Sequence, residues 1–330
     1  MADLETATAI LSDLVAFPTV SSDGNLAIID HLACLLSDAG ARVDIYANDA
    51  GTKANLYATL GPDAPGGILL AGHTDVVPIT DQVWASNPFE MTVRDARLYG
   101  RGTCDMKGFI AAAVAMAPTF ARSAVRRPLH FAFTYDEEVG CIGAAALADR
   151  LRARDDRPSL AIIGEPTMMR LIEGHKGCCE YTTHFTGREG HGSLPHKGVN
   201  AVEYAVRYVT RLMQLNEELK ARAPAGSLFD PPHSTINVGS LHGGVAHNVI
   251  PGHASVEWDM RPVQRADFDH IRAVMQACAD DLLPRMRAVW PEADIFTETI
   301  GETIGLEPMT RNAARDLITP RAVPPRSAAR

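Results

Sequence analysis

Three apolar runs in this 330-residue chain each end on a residue able to bind metal. Gly66-Gly-Ile-Leu-Leu-Ala-Gly72 leads into His73-Thr-Asp75, and Leu129-His-Phe-Ala-Phe-Thr-Tyr135 leads into Asp136-Glu137-Glu138. Ser159-Leu-Ala-Ile-Ile-Gly164 leads into Glu165-Pro166. A fourth acid, Asp105, sits in Gly100-Arg-Gly-Thr-Cys-Asp-Met-Lys-Gly108, just ahead of a long apolar helix pattern. One imidazole and several carboxylates gathered at one edge suit a hard or borderline divalent cation, with zinc first and cobalt second.

Each motif alone has an ordinary explanation. His73 and Asp75 emerge on the same side of a strand end, because strand side chains repeat every second residue. One ring nitrogen of His73 is then free to ligate while Asp75 orients the ring. Asp105 also suits a helix N-cap. Asp136-Glu137-Glu138 is harder to explain blandly, since adjacent buried carboxylates repel one another unless a cation compensates. Taken together at one edge, the motifs fit a dinuclear hydrolytic centre. One carboxylate would bridge two ions and a second, unligated acid would act as base on water.

The elements that must position these residues follow from periodicity. Continuous apolar runs fit strands covered on both faces, as in a parallel sheet whose carboxyl ends form the binding crevice. Helix patterns run over Thr6–Phe17, Leu26–Ala39, Met106–Ala121 and Cys141–Leu151, alternating with the strands in an α/β layered fold. After Glu173 the texture changes. Cys178–Thr186, Ser234–Leu241 and His253–Met260 alternate at period two, with a further strand at Ala293–Thr299 and helices at Val199–Leu219 and Asp267–Met286. That order predicts a ferredoxin-like α+β insert at 176–304 in a mostly parallel-sheet catalytic domain formed by 1–175 and 305–330. The chain is expected to return to the first domain near Leu306.

Composition narrows the partners. A net charge of −9 argues against nucleic acid, which requires a basic face. No apolar stretch has membrane-spanning length, and the acidic start lacks a signal pattern. Six cysteines without CxxC spacing read as reduced thiols in the cytoplasm.

His73-Thr-Asp-Val-Val-Pro78, Gly100 to Gly108, Asp136-Glu-Glu-Val-Gly140 and Gly164-Glu-Pro-Thr167 together resemble one known family. It is the acetylornithine deacetylase, succinyl-diaminopimelate desuccinylase and glutamate carboxypeptidase group of zinc amidohydrolases. The resemblance runs from the first helix to about Leu317. It implies that His73, Asp105 and Glu165 hold one zinc, with Asp105 bridging to a second zinc on Glu138. Glu137 would be the general base and Asp75 the partner of His73. A cis peptide would follow Asp105. The insert would serve as lid and dimerisation domain of a homodimer, with His191 from a second subunit steadying the oxyanion and Asn248 and Arg261 clamping the substrate carboxylate. His175 to Tyr181 and Ala246-His-Asn248 are most similar to the acetylornithine branch. The implied reaction is hydrolysis of N2-acetylornithine to ornithine and acetate. Succinyl-diaminopimelate or another N-acyl amino acid is the alternative within this chemistry, and a silent homologue that only binds metal or dimerises is the alternative outside it.

The family also carries a last His ligand, and no His follows His270 here. Asn312–Ile318 reads as helical, and Pro320–Arg330 is too rich in proline and arginine to supply a buried strand. A shifted reading frame or truncated gene is the expected cause. A tight first metal and a weak second metal are the expected consequence.

Overall fold

Burial along the strands separates two kinds of sheet. The computed structural model describes residues 4–80, 82–123, 126–309, 315 and 327–329, and the chain divides into two units at Met169 and Arg170. In the first unit, α1 (Leu4–Val15) and α2 (Leu26–Asp38) precede β1 (Arg42–Ala47), β2 (Ala54–Leu60) and β3 (Ile68–His73). A small hairpin, β4 (Thr92–Arg94) and β5 (Arg97–Tyr99), leads to α3 (Lys107–Ser123), β6 (Leu129–Thr134), α4 (Ile142–Arg152) and β7 (Leu160–Ile163).

The five-stranded sheet runs β1-β2-β6-β3-β7. β3 is parallel to both β6 and β7, whereas β1, β2 and β6 pair antiparallel. The expected mostly parallel sheet is therefore mixed, with its parallel part confined to the strands that carry the candidate ligands. Apolar continuity reports burial on both faces and not strand direction, which is why the antiparallel half was not anticipated. The β1–β2 hairpin itself was not assigned from the sequence. Leu56, Ala58, Phe131 and Phe133 pack with α1, α2 and α3, while Tyr57 and Ala132 pack on the opposite face with Leu147 of α4. Every residue of β2 is buried.

The second unit begins with β8 (Ile172–His175), β9 (Cys178–Thr186) and the short β10 (Gly190–His191). It continues with α5 (Ala201–Lys220), β11 (Thr235–Gly243), β12 (Val249–Ile250), β13 (His253–Arg261), α6 (Arg265–Arg287) and β14 (Asp294–Thr303). β9, β11, β13 and β14 form one antiparallel sheet in the order β11-β13-β9-β14. The strand–helix–strand–strand–helix–strand order is the one expected of the insert. Burial alternates along β9, with Cys179, Tyr181, Thr183 and Phe185 inside and Glu180 and His184 exposed. The inner side chains meet α5 and α6 in one core, where Trp258 stacks on Tyr181 at 4.6 Å and donates Nε1–H to Thr183 Oγ1 at 3.1 Å.

Leu306, where a return to the first domain was expected, bridges His175 within the second unit. Most of the helix expected over 312–318 lies outside the described residues. Within the tail one short strand is described. β15 (Ser327–Ala329) pairs parallel with β8, because pairing uses backbone groups and Ser-Ala-Ala contains no proline to interrupt it. Among the described residues no helix is long and apolar enough to cross a membrane, and all six cysteines are free.

Candidate metal centre

The parallel register of β3 and β6 pairs His73 with Thr134, so these two strands end side by side. β7 flanks β3, and the Gly164 amide extends the ladder by donating to Ala71 O at 3.1 Å, one residue before Glu165. Gly164 is required for packing, since a Cβ there would collide with the Phe109 ring of α3. Asp105 arrives from the other side, on the loop that feeds α3. The Asp105–Met106 peptide is cis, as expected.

These elements bring His73, Asp105 and Glu165 together, each offering a ligand atom within 4.8 Å of the others. His73 Nε2 lies 3.0 Å from Asp105 Oδ1 and 3.9 Å from both Glu165 Oε1 and Glu137 Oε2. Its Nδ1 lies 2.9 Å from the Asp75 carbonyl oxygen. A carbonyl only accepts, so Nδ1 carries the proton and Nε2 is the nitrogen left to face a cation. Glu138 borders the same cleft as Asp105, together with Val77 and residues 100–104.

Asp75 is the organising residue behind the ligands. Its carboxylate accepts from Ser21 Oγ at 2.7 Å and from the Glu137 and Glu138 amides at 3.1 and 3.3 Å. Burial would raise the Asp75 carboxyl, but the hydrogen bonds from His73, Ser21 and the Glu137 amide outweigh it and hold it below its usual value. Burial would lower His73, yet Asp75, Glu137 and Glu165 raise it to about 9. Glu165 is pushed up to about 7, first by burial and then by the carboxylates of Glu137, Asp105 and Glu138 against the opposing pull of His73. Glu138 is raised by burial and by Asp105. An acidic cluster that resists ionisation in this way has more negative charge than its surroundings neutralise, so the donor set fits a bound divalent cation.

A buried lysine, a partly buried lysine and a serine of this region were not anticipated. Lys107 is fully buried, donates Nζ–H to Phe17 O at 2.7 Å, and is lowered by burial to about 7. Lys53 Nζ meets Asp136 Oδ1 at 2.5 Å and Ser21 O at 2.6 Å. The one available signal was charge balance: a cluster of buried acids must be met by cations somewhere in the sequence.

In the second unit the residues expected to meet substrate lie in two places. His191 pairs with Val249 across β10 and β12, and the Gly192 amide donates to Asn248 O at 2.8 Å, so His191 and Asn248 are neighbours. His191 is exposed, with Nδ1 2.8 Å from Ser193 Oγ. Arg261 stands at the far end of β13, donating Nε–H to Asp259 Oδ1 at 3.0 Å. At roughly 3.3 Å per strand residue, the ends of β13 are about 26 Å apart. Asn248 lies in the loop that precedes β13 and Arg261 ends that strand, so the two expected clamp residues flank it from opposite ends. Sequence adjacency to matching motifs gave no sign of this, because the two motifs flank one strand from opposite ends.

A mixed sheet that gathers an imidazole and carboxylates at the ends of its parallel strands, joined to a one-face-covered antiparallel unit, defines a metal-dependent hydrolase. The family model described as peptidase family M20/M25/M40 matches residues 69–306. The chain belongs to that family, whose members here are metal-dependent amidohydrolases. It is 34% identical to the acetylornithine deacetylase of Photorhabdus laumondii over 94% of this chain and 80% of that protein. It is 38% identical to that of Klebsiella pneumoniae over 79% of this chain and 69% of that protein. Among solved structures, an aminopeptidase from Bacillus cereus superposes with a TM-score of 0.72 at 18% identity, covering 99% of this chain and 85% of that one. A dinuclear metal-binding peptidase of the M20 family from Bacillus subtilis superposes at 0.61 and 14% identity, covering 94% and 77%. Both likenesses concern the fold.

Proposed function

We propose that this protein hydrolyses the amide of N2-acetyl-L-ornithine to L-ornithine and acetate, with two zinc ions as its cofactors. The convergence of His73, Asp105 and Glu165 around one point, ordered by the Asp75 hub, is the observation that carries the chemistry. The identity to acetylornithine deacetylases over most of the chain supports the substrate. His73, Asp105 and Glu165 would hold one ion. Asp105 would bridge to a second ion on Glu138. Among the described residues Asp105 and Glu138 are the carboxylates that would hold the second ion. The metal, when bound, supplies Lewis acidity toward the amide carbonyl and makes water a better nucleophile at neutral pH.

The side chains account for the proton movements. Glu137 takes a proton from the attacking water as the new C–O bond forms. It then delivers that proton to the amine nitrogen as the C–N bond breaks, releasing ornithine and acetate. The Asp75 carbonyl keeps the His73 proton on Nδ1, leaving Nε2 for the metal. His191 supplies a donor to the developing oxyanion from the second subunit of a homodimer. Arg261 holds the substrate carboxylate. The placement of Asn248 before β13 and of Arg261 at its far end supports a division in which the two reach a given site from different subunits. Arginine biosynthesis in the cytoplasm is the setting such a substrate implies.

The test is hydrolysis by the zinc-loaded chain, comparing N2-acetylornithine with succinyl-diaminopimelate and other N-acyl amino acids. Preference for acetylornithine is expected. Preference for a different acyl amino acid would overturn the substrate, and absence of zinc-dependent amide hydrolysis would overturn the reaction.

A further inference from the structure

Lys53 lies on no predicted motif, immediately before the buried strand β2, yet it closes a ring of contacts behind the metal edge. Its ammonium is shared between the Asp136 carboxylate and the Ser21 carbonyl. Ser21 donates its hydroxyl to Asp75 Oδ2, and the Asp75 carboxylate in turn accepts the amides of Glu137 and Glu138. Those amides belong to the turn that Asp136 begins. The ring thus runs Lys53, Ser21, Asp75, Glu137–Glu138, Asp136 and back to Lys53. The Lys53 and Asp136 side chains are only 14% and 12% exposed, so water does little to screen the pair.

The turn needs such an anchor. Asp136 has φ of 55°, a left-handed conformation that a residue with a Cβ adopts only when its surroundings hold it there. From that strained position the chain places two successive carboxylates, Glu137 and Glu138, with different tasks. A small rotation at Asp136 would turn both.

We propose that Lys53 is a positioning residue for this site. By fixing Asp136 and Ser21 at once, it sets the direction of the Glu138 ligand and the Glu137 base, and it keeps Asp75 aligned on His73. The proposal rests on the metallohydrolase reading of the site and not on the identity of the acyl substrate. Buried partners one step behind metal ligands are typically worth about 10- to 100-fold in metal affinity or activity.

The experiment is a chelator-competition titration of zinc with the full-length wild type, Lys53→Met, Asp136→Asn and the double variant. Urea melts of the zinc-free proteins run alongside. Each single variant is expected to weaken zinc binding by about 10- to 100-fold, and the double variant to be no worse than the weaker single, because the pair acts as one unit. Lys53→Arg should restore part of the loss. In turnover of the substrate that the wild type accepts, kcat should fall with KM little changed. Zinc affinity within about twofold of wild type in both single variants overturns the proposal. So does a double variant whose losses simply add. If Lys53→Met does not fold, Asp136→Asn, which preserves shape and a hydrogen bond, decides on the same criterion. Because zinc affinity is read without substrate, failure of the acetylornithine assignment would leave this test intact.

Discussion

The central strands of the first unit's sheet are buried on both faces, whereas the sheet of the second unit is covered on one. The contrast explains where chemistry is found. β2 and β6 bury side chains in both directions, so no position along them tolerates a polar group without a partner. Their carboxyl-end loops and those of the flanking strands are freer, and there His73, Asp75, Asp136, Glu137, Glu138 and Glu165 collect. β9 and β13 instead turn every second residue outward, and their acids and histidines spread along an open face. Double coverage concentrates charge at an edge, where it must be neutralised. Single coverage disperses it into solvent.

The largest test of this contrast is Glu137→Gln. The side chain keeps its shape and loses its basicity, so kcat should fall by about 10²- to 10⁴-fold while zinc binding at His73, Asp105 and Glu165 persists. Stopped hydrolysis with unchanged metal content would place Glu137 in proton transfer. Loss of zinc in the variant would make it a ligand instead.

Phe133→Ala and Phe185→Ala compare the two cores directly. Both side chains are buried, one in β6 and one in β9. Each truncation should cost about 3–5 kcal/mol by denaturant unfolding. Only Phe133, whose strand leads directly to Glu137 and Glu138, should also weaken zinc binding in the protein that remains folded. An equal loss of zinc affinity in Phe185→Ala would break the comparison.

How much of this was legible beforehand depends on the kind of information. His73 and Glu165 were readable because each is a ligand type at the end of a recognisable run, and Asp105 because it stands in a glycine-rich segment just ahead of a helix pattern. The alternation of β9 and β13 announced a half-covered sheet for the same local reason. Strand direction in the first sheet was not readable, since burial on both faces looks alike in parallel and antiparallel pairings. Lys53 was hidden because its partners, Ser21 and Asp136, lie 32 and 83 residues away, and one of them is a backbone carbonyl with no sequence signature. Asn248 and Arg261 matched as motifs, and which ends of β13 they flank was not legible from either motif.

Asp75→Asn should have an intermediate effect. It retains size but offers one acceptor oxygen and a donor where two amides and the Ser21 hydroxyl need acceptance. A buried donor left unpaired there, together with looser control of His73, should reduce zinc affinity by about 10- to 100-fold. Affinity equal to wild type would show that the Asp75 carbonyl alone orients the imidazole.

Glu257→Gln should do least. Glu257 projects from the open face of β13, where its register partners are Thr182 on β9 and Ser240 on β11. Solvent already screens its charge, and neither neighbour is an opposite charge that it could lose. Unfolding free energy should therefore stay within about 0.5 kcal/mol of wild type, with zinc affinity unchanged. A loss above about 1 kcal/mol that grows with protein concentration would mean that a second copy covers this face in solution. The second sheet would then be buried on both sides after all, and the contrast between the units would be a property of the isolated chain alone.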